Sequence, residues 1–473
     1  MFMRMVYDEK LAQAAYLIGC PESGEAIVFD PQRDVDRYIE LAEANDMKLV
    51  AAAETHIHAD FLSGARELAE RTGARVYLSG EGGPDWSYKW LDQKTGGGSY
   101  DHVLLRDGDE FKAGGVGFRA VHTPGHTPEH LAFVVTDHGS GATEPIGLVS
   151  GDFMFVGDLG RPDLLETAAG YQGVMEEAAR QLFGTLRAIE GLPDFVQVWP
   201  GHGAGSACGK SLGAVPTTTV GYERRFSPAL RAASDQRSFV DFILAGQPEP
   251  PLYFASMKRD NRDGPVVLGG PLDPPKVDAS MLRALDPQAF TIVDTRPWAN
   301  FRDGHLPCSL SFPLLDSFTT DIGSFVLDTD DIYLIINEAE REEALRDLIR
   351  IGLDRVKGWC EASEIDALDG LDTIDEIGPR EAEALLGEVP VLDVRRAAEH
   401  AAGHIPGAPN ISHTRLAARM GEVPEGERLI VVCRTGKRSA RAASYLKRAG
   451  RQPINLAGGN VAWTEAGLRV GTA

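Results

Sequence analysis

Three polar residues at alternate positions, directly after an apolar run, place the strongest constraint on this chain. The run LVAAAE covers residues 49–54 and is followed by His56, His58 and Asp60. Alternate side chains of a strand lie on one face, so these three would lie on the same side of the chain where the strand ends. Imidazole and carboxylate groups are common metal ligands, and the spacing therefore predicts a metal site. Solvated surface residues are the alternative that this stretch alone leaves open.

Three further candidate ligands adjoin apolar runs that are typical of strands. They are His126 in HTPGHTPEH, Asp152 in LVSGDFMF and His202 in VWPGHGAG. His122 and His130 flank the first of these motifs, and each would either support the site indirectly or be a structural histidine bonded to the backbone. The metal site is thus expected where several strands end.

The motifs THxHADxxSG, PGHT, GD and PGHG occur in this order within the first 210 residues. The series resembles the metallo-β-lactamase superfold, an αββα sandwich with metals at one edge. Binuclear hydrolases of this superfold, such as glyoxalase II, carry an HxHxDH box whose last histidine helps to hold a second metal. This chain has Phe61 at that position, and its ring has no lone pair to donate. A second metal would have to rely on Asp60, His202 and a bridging Asp152, so the resemblance favours a single metal.

The branch of the superfold that works with one iron, the persulfide dioxygenases, is similar at His56, His126 and Asp152. Two imidazoles and one carboxylate on one face leave the opposite face open, which suits non-haem Fe(II) and O2 chemistry. The resemblance implies Fe(II), one per chain, as the cofactor, with zinc as the alternative if Phe61 merely packs beside a zinc site. The remaining polar candidates would orient the ligands or hold an alternative second metal: His58, Asp60 and His202.

A loop after the GD strand adds to this resemblance. In VGDLGRPDLL, Arg161 matches an arginine that in the family helps to bind the carboxylates of the thiol carrier. A planar guanidinium suits that task. The alternative is a surface ion pair of Arg161 with Asp163 or Asp158.

Composition limits the partners of the chain. The 473 residues allow about three domains. Lys and Arg number 47 against 70 Asp and Glu, a formal charge of −23, which disfavours nucleic acid and anionic membrane as partners. We expect a cytoplasmic protein, because the N-terminus does not resemble a signal peptide and no stretch reaches the about 18 apolar residues of a spanning helix. The five cysteines are scattered without a CxxC, which argues against disulfides and a cysteine zinc site.

Strand-like runs alternate with amphipathic helices up to about residue 215, which indicates an α/β domain. A helical tail and a Pro- and Gly-rich linker follow, and we expect the first domain to cover residues 1–270. Cys208, in GSACGKS, falls close to the presumed metal loop. Its thiol could relay sulfane sulfur, or it could be a small buried residue in a turn.

Residues 275–473 contain an internal repeat of two units, each of about 100 residues. Both units carry an aspartate and, eleven positions later, a histidine: Asp294 with His305, and Asp393 with His404. This equal spacing is part of the evidence for the repeat.

Phrases of the type LDVR, GHIPGA and AGGxxAW are similar to rhodanese domains. The resemblance implies two rhodanese-like α/β domains with parallel sheets, at residues 271–370 (the first repeat) and 371–473 (the second repeat). Near the end of each repeat a tryptophan is present, and we expect Trp359 and Trp463 to be equivalent.

The second repeat carries a candidate nucleophile, Cys433. It follows the apolar run LIVV, opens the six-residue turn CRTGKR, and precedes a helix expected to begin near Ser439. Backbone N–H groups, the helix N-terminus and the cations Arg434, Lys437 and Arg438 favour the thiolate of a cysteine in such a place. We predict that Cys433 carries a persulfide and that the three cations bind the anionic sulfur donor. Phosphatases that resemble this fold have a loop one residue longer, which is sized for phosphate. The six-residue loop of this chain therefore favours a sulfur donor as the substrate.

The first repeat departs from this pattern. Asn337 occupies the position of the cysteine, and glutamates replace the cationic loop. An amide cannot form a thiolate, so this repeat is expected to be a structural or docking module. Cys308 and Cys360 are conceivable sulfur acceptors, although neither lies in an activating sequence.

The whole arrangement resembles bacterial sulfide-detoxifying fusion proteins. It implies oxidation of a small thiol persulfide by O2 to sulfite and free thiol, with Cys433 forming or using thiosulfate. The sequence does not distinguish glutathione from coenzyme A as the carrier, and it leaves self-association to a homo-oligomer open. Two alternatives stand beside it: a zinc thioesterase of the glyoxalase II type with a sulfur-carrier domain, and a sulfur carrier or sensor with a degenerate metal domain.

Overall fold

A computed structural model describes residues 1–167 and 173–472. The chain divides into two compact units. Unit 1 comprises Met1–Pro250, Phe254–Pro271 and Ile349–Gly352, and unit 2 comprises Pro251–Tyr253, Leu272–Leu348 and Leu353–Ala473. Across the two described ranges, no helix combines the length and the apolar character needed to cross a membrane.

Within the described residues, unit 1 contains two six-stranded sheets in which neighbouring strands follow chain order. The first sheet is formed by β1 (Phe2–Asp8), β2 (Gln13–Cys20), β3 (Glu25–Phe29), β4 (Lys48–Ala53), β5 (Arg75–Ser79) and β6 (His102–Leu105). The second is formed by β7 (Glu110–Ala113), β8 (Val116–His122), β9 (Leu131–Asp137), β10 (Gly147–Gly151), β11 (Gln197–Pro200) and β12 (Thr218–Thr219). Strands β3 to β6 are parallel to one another, as are β10 and β11, while the other pairs are antiparallel.

The two sheets of unit 1 pack face to face through a buried aromatic core. The ring of Phe29 from the first sheet lies 5.1 Å from the rings of both Phe118 and Phe133 of the second. Each such side chain contributes roughly 1.5–3 kcal/mol when it is removed from water. Tyr16 and Trp199 extend the same cluster.

Helices cover the outer face of each sheet. The helices of unit 1 are α1 (Asp36–Glu43), α2 (Ala65–Thr72), α3 (Leu164–Thr167), α4 (Met175–Thr185), α5 (Val220–Phe226), α6 (Pro228–Ala232), α7 (Gln236–Leu244) and α8 (Phe254–Asp263). Tyr38 and Ala42, four positions apart on α1, form one buried face against the first sheet. Leu182 of α4 and Phe239 of α7 pack on the second. The αββα sandwich predicted from the motifs is therefore confirmed.

The described residues of unit 2 form two four-stranded parallel sheets. The strands of the first repeat are β13 (Phe290–Asp294), β14 (Leu310–Ser311), β15 (Asp331–Ile336) and β16 (Val356–Glu361), in the order β14-β13-β15-β16. Those of the second repeat are β17 (Asp375–Ile377), β18 (Val391–Asp393), β19 (Arg428–Val432) and β20 (Gln452–Leu456), in the order β17-β20-β19-β18. The helices are α9 (Ala279–Arg283), α10 (Trp298–Asp303), α11 (Phe318–Ile322), α12 (Arg341–Arg350), α13 (Ala362–Ile365), α14 (Pro379–Leu385), α15 (Ala397–Ala401), α16 (Lys437–Arg448) and α17 (Gly459–Glu465).

The two repeats share strand order and local hydrogen bonding. The run β13-β15-β16 corresponds to β18-β19-β20. Arg296 donates to both oxygens of Asp294 and to Gly304 O, and the equivalent Arg395 donates to Asp393 and to Gly403 O. These buried pairs fix the turn after β13 and the turn after β18 in the same way.

The expected equivalence of Trp359 and Trp463 is wrong. Trp359 lies in strand β16, which corresponds to β20, whereas Trp463 lies in helix α17 beyond that strand. Both tryptophans lie near the end of a repeat, but this position alone does not distinguish a strand from the helix that follows it.

Candidate metal centre and active-site cysteine

His56, His126 and Asp152 meet in unit 1 at the ends of its strands. They lie in the loops after β4, between β8 and β9, and after β10, and all three are buried. One ligand atom from each lies within 4.8 Å of the other two. The strand ends thus bring together the three residues that the sequence predicted as metal ligands.

Hydrogen bonds fix which nitrogen His56 presents to this centre. Its Nδ1 lies 2.9 Å from Thr55 Oγ1, and the Thr55 hydroxyl donates to Asp30 Oδ2, also at 2.9 Å. The Thr55 oxygen must then accept from His56 Nδ1–H, which leaves the lone pair on Nε2. That Nε2 is buried and has no hydrogen-bond partner in the described part of the chain. A bond of this kind orients a ligand histidine and sets its tautomer.

His126 and Asp152 are arranged in a similar way. His126 Nδ1 donates to Arg161 O at 3.0 Å, so its Nε2 is the free ring nitrogen, 3.4 Å from Asp152 Oδ2. Asp152 Oδ1 is engaged by His202, whereas Oδ2 has no hydrogen-bond partner among residues 1–167 and 173–472. Three buried lone pairs therefore converge. This donor set fits a divalent metal of the two-histidine, one-carboxylate type.

His202 lies between the two carboxylates of Asp152 and Asp60. Its Nδ1 is 2.8 Å from Asp152 Oδ1 and its Nε2 is 2.7 Å from Asp60 Oδ2. Burial acts to lower the pKa of His202, but the two carboxylates raise it to about 10. Both ring nitrogens of His202 are thus held by carboxylates, and the contact with Asp152 Oδ1 leaves Oδ2 facing the ligand cluster.

Cys208 belongs to the same side of the centre, because one ligand atom from each of Asp60, His202 and Cys208 lies within 4.8 Å of the others. Burial raises the pKa of the Cys208 thiol, and the nearby Asp60 and Asp152 raise it further. The thiol form is therefore favoured at neutral pH. The structure places Cys208 next to the centre, and its use as a relay of sulfane sulfur stays a prediction.

His58 is turned toward a different pair of carboxylates. Its Nε2 lies 3.0 Å from Glu54 Oε2 and 3.2 Å from Asp30 Oδ1. Burial acts to lower the pKa of His58, yet Asp30 and Glu54 raise it overall. The rings of His56 and His58 lie side by side, 4.2 Å apart. Strand β4 ends at Ala53, however, so strand alternation does not extend to these residues, and His56, His58 and Asp60 belong to three different clusters instead of one.

Phe61 lies fully buried beside His58, with the ring centroids 4.3 Å apart. Its backbone is held by Asn261 of α8, which donates to Phe61 O at 2.7 Å and to His58 O at 2.8 Å. An apolar ring therefore fills the position that corresponds to the last histidine of HxHxDH.

Arg161 is buried, with 1% of its surface exposed. Its Nε and Nη2 donate to the two oxygens of Asp163 at 2.8 and 2.6 Å, and Nη1 donates to Ala207 O at 2.7 Å. The pairing with Asp163 agrees with the alternative expectation, but the expectation of a surface pair is wrong. Binding of a thiol carrier by this guanidinium stays a prediction. Its Nε and Nη2 already donate to Asp163 in this structure.

Several residues that shape the centre were missed by the sequence reasoning. Asp30 and Glu54 bond to His58, and Glu129 Oε1 accepts from Ile57 N at 2.7 Å. Burial raises the pKa of Glu129 to about 7. Asp30 directly follows an apolar strand, as the predicted ligands do, and that signal could have identified it. His130, one of the two histidines left open, accepts from Asp152 N at 3.0 Å and so supports the centre indirectly.

Cys433 in unit 2 is buried between the end of β19 and the start of α16. The helix begins at Lys437, slightly earlier than expected. Gly436, just before it, has φ +88°, a conformation that favours glycine. Ser439 Oγ lies 3.4 Å from Cys433 Sγ and 2.6 Å from Asn455 Oδ1. The thiol is thus held at the helix N-terminus, as the sequence predicts for a nucleophile.

The three predicted cations differ in their surroundings. Arg434 and Lys437 are exposed. Arg438 is half-buried and donates to both oxygens of Glu399 at 2.7 and 2.8 Å. Two of the three are therefore open to an anionic ligand without first breaking an internal ion pair.

The first repeat places Asn337 directly after β15, the position that Cys433 has after β19. Its Nδ2 donates to Glu340 Oε2 at 2.7 Å. Burial, together with Glu364, raises the pKa of the Cys360 thiol to about 12, and Cys308 is half-buried in a turn with φ +64°. None of the described groups replaces the missing nucleophile at this position.

Comparison with known proteins agrees with both halves of this description. Residues 9–202 match the metallo-beta-lactamase superfamily, and residues 378–466 match the rhodanese-like domain. A metallo-beta-lactamase crystal structure from Staphylococcus aureus subsp. aureus COL is 37% identical, with a TM-score of 0.68. The match covers 76% of this chain and 99% of that one. The chain belongs to the metallo-β-lactamase superfamily.

Other members of the metallo-β-lactamase superfamily are more distant. Persulfide dioxygenase ETHE1, mitochondrial, from Bos taurus is 26% identical over 50% of this chain and 78% of its own length. Hydroxyacylglutathione hydrolase GloC from Haemophilus influenzae is 26% identical over 47% and 94%. The chain spans only about 60% of the length of the beta-lactamase hydrolase-like proteins it matches, such as that of Agrobacterium fabrum. These names include a dioxygenase and a hydrolase, so membership of the superfamily leaves the reaction open.

Proposed function

We propose that the metal centre oxidises a low-molecular-weight thiol persulfide with O2 to sulfite and the free thiol. The balanced reaction is RSSH + O2 + H2O → RSH + SO3²⁻ + 2 H⁺. The observation that carries the proposal is the set of buried donor atoms on His56, His126 and Asp152, combined with the apolar ring of Phe61 where a further ligand would stand. Such a set suits one metal with an open face.

The three donors would hold Fe(II), which supplies redox chemistry toward O2 when bound. The chain itself supplies orientation. Thr55 and the Arg161 carbonyl fix the two imidazoles, and His202 fixes the carboxylate of Asp152. Outer partners of this kind typically contribute 10–100-fold to metal affinity or activity.

We further propose that the second repeat transfers sulfane sulfur through Cys433. In the direction of thiosulfate formation the step is Cys433–S–SH + SO3²⁻ → Cys433–SH + S2O3²⁻, and the same step can run in reverse. The exposed cations Arg434 and Lys437 support an anionic donor. The shared strand order supports the first repeat being a rhodanese-like copy in which Asn337 replaces the nucleophile.

A zinc thioesterase of the glyoxalase II type is the second candidate. One observation favours it: Asp60, His202 and Cys208 form another group of potential ligands next to Asp152. A pair of metals there would activate water for hydrolysis. The missing imidazole at position 61 speaks against this candidate.

The deciding experiment combines metal analysis of anaerobically purified protein with two activity assays. Iron together with O2 uptake on glutathione persulfide or coenzyme A persulfide supports the dioxygenase. Zinc together with cleavage of a glutathione thioester would replace it by the hydrolase. Protein without metal or either activity would instead indicate a sulfur carrier or sensor.

A further inference from the structure

A cavity of about 560 Å³ lies in unit 2 between the first and second repeats. This volume is in the range of small-molecule sites. The wall from the second repeat includes Thr435, Gly436 and Lys437, which follow Cys433 in its turn. A molecule in the cavity would therefore lie beside the loop of the nucleophile.

The opposite wall is formed by the part of the first repeat that has lost its own nucleophile. It includes Asn337 and Glu340, with Trp298 and Leu315 as apolar neighbours. The inactive loop thus faces the active one across the cavity. An amide and a carboxylate stand where a thiolate and cations would be needed for sulfur transfer.

The charges of the cavity separate into paired and unpaired groups. Glu376 is bound by Arg302 at 2.7 Å, and Arg441 lies 3.3 Å from Asp321. Lys437 on one wall has no ion pair within the described ranges, and neither does Glu340 on the other, whose Oε2 accepts only from the Asn337 amide there. An ammonium and a carboxylate are therefore available on opposite sides.

We propose that this cavity binds the amino-acid head of a zwitterionic low-molecular-weight thiol, the acceptor of sulfur from Cys433. Glu340 would bind the ammonium group and Lys437 the carboxylate, while Trp298 and Leu315 contact the carbon chain. A thiol that carries several phosphates and no ammonium would be disfavoured by Glu340. This inference rests on the proposed sulfurtransferase function and names the substrate class of that site.

The transfer step is balanced without an oxidant or reductant. Thiosulfate loads the cysteine: Cys433–S⁻ + S2O3²⁻ → Cys433–S–S⁻ + SO3²⁻. The thiol then takes the outer sulfur: Cys433–S–SH + RSH → Cys433–SH + RSSH. The S–S bond of the Cys433 persulfide breaks and the S–S bond of RSSH forms. The proton of the attacking thiol ends on the Cys433 sulfur.

The test uses the full chain with thiosulfate as donor and either glutathione or cyanide as acceptor. Glu340→Gln should raise the KM for glutathione about fivefold, the effect of losing an exposed ion pair of up to about 1 kcal/mol. The kcat should not change, and cyanide, which has no ammonium group, should react as before. Leu315→Trp, which narrows the cavity, should also raise the KM for glutathione and leave the KM for cyanide unchanged.

Glu338→Gln is the matched control, because Glu338 lies exposed in the same short segment but does not line the cavity. It should leave both acceptors unaffected. Normal glutathione kinetics in Glu340→Gln, with cyanide turnover intact, would overturn the inference and leave sulfur transfer standing. An equal loss with both acceptors would also overturn it, since the change would then act on the loop rather than on the ligand.

A binding measurement separates this inference from the proposed function. If the wild-type chain transfers sulfur to neither acceptor, the sulfurtransferase proposal fails. Calorimetric titration with S-methylglutathione, which cannot react, then decides the inference. Weaker binding to Glu340→Gln than to Glu338→Gln supports the cavity as a site, and equal binding rejects it.

Discussion

The backbone carbonyl of Arg161 accepts a hydrogen bond from His126 Nδ1 at 3.0 Å. The orientation of a candidate metal ligand therefore depends on the loop that carries Arg161. That loop is held by the buried ion pair of Arg161 with Asp163, so a residue that contacts no metal can still control the centre.

Replacing Asp163 by Asn should test this dependence. Breaking a buried ion pair leaves the guanidinium uncompensated and costs about 3–5 kcal/mol of unfolding free energy. Metal affinity should fall about 10–100-fold as His126 loses its fixed acceptor. Urea unfolding and metal content measure the two effects. Glu176→Gln, which breaks an exposed pair with Arg180, is the control and should cost less than about 1 kcal/mol. Unchanged metal affinity in Asp163→Asn would contradict the dependence.

Phe61→His should alter the number of metals. The new imidazole would stand at the position where the resembling binuclear hydrolases have a ligand, directly after Asp60 in the chain. We expect metal content to rise from about one toward two per chain, and O2 uptake to fall. Phe61→Leu keeps the position apolar and should retain about one metal. A histidine variant that still binds one metal would show that position 61 does not determine the count.

Cys433→Ser should separate the two reactions. A hydroxyl cannot carry sulfane sulfur, so thiosulfate formation should be abolished while O2 uptake on the persulfide continues. The two products can be measured in the same reaction mixture. Cys308→Ser, which alters a half-buried cysteine outside both centres, should change neither rate. Loss of O2 uptake in the Cys433 variant would refute the division of labour.

The stability of unit 2 should depend on Asp321 in acid. Burial acts to raise its pKa, but His413 at 3.2 Å and Arg441 at 3.3 Å lower it below the ordinary value of 3.8. The folded state therefore favours the carboxylate. Its contribution is complete above pH 3.8 and is lost as the pH falls through the lower folded value.

In Asp321→Asn the unfolding free energy at neutral pH should fall by about 3 kcal/mol. The difference from wild type should shrink below pH 4, because the wild-type carboxylate is then protonated as well. Urea unfolding between pH 3 and pH 7 measures it. Asp316 is an exposed carboxylate in the same segment, and Asp316→Asn is the control. Its unfolding free energy should change with pH in the same way as that of the wild type. A constant difference at every pH would exclude this linkage.

The sequence identified the residues of the centre whose position follows from local pattern. His56, His126 and Asp152 each adjoin an apolar strand, and the ends of neighbouring strands meet at one edge, so linear motifs translated directly into proximity. Cys433 was recognisable for the same reason, since a strand, a short glycine-containing turn and a basic helix define its surroundings. Whether these side chains bind the proposed metal and sulfur stays a prediction.

The sequence could not show contacts that depend on the approach of distant segments. Burial of Arg161 depends on Ala207, 46 positions later, and nothing in the loop distinguishes it from a surface arginine. Glu54 ends an apolar run, and its contact with His58 depends on how the chain turns between the two residues. Trp359 and Trp463 both lie near the end of a repeat, and the sequence alone does not show that the first lies in a strand and the second in a helix.

Asn261 binds the chain at Ser63 N, His58 O and Phe61 O, across as many as 203 positions. Because Asn261 is synthesised about 200 residues after these three backbone groups, their hydrogen bonds cannot form until α8 has left the ribosome. A shortened protein that stops after the second sheet would contain every proposed ligand of the metal. It would nevertheless lack the amide that closes the loop on which His58 and Phe61 stand, so excision of this half for biochemical work should retain α8.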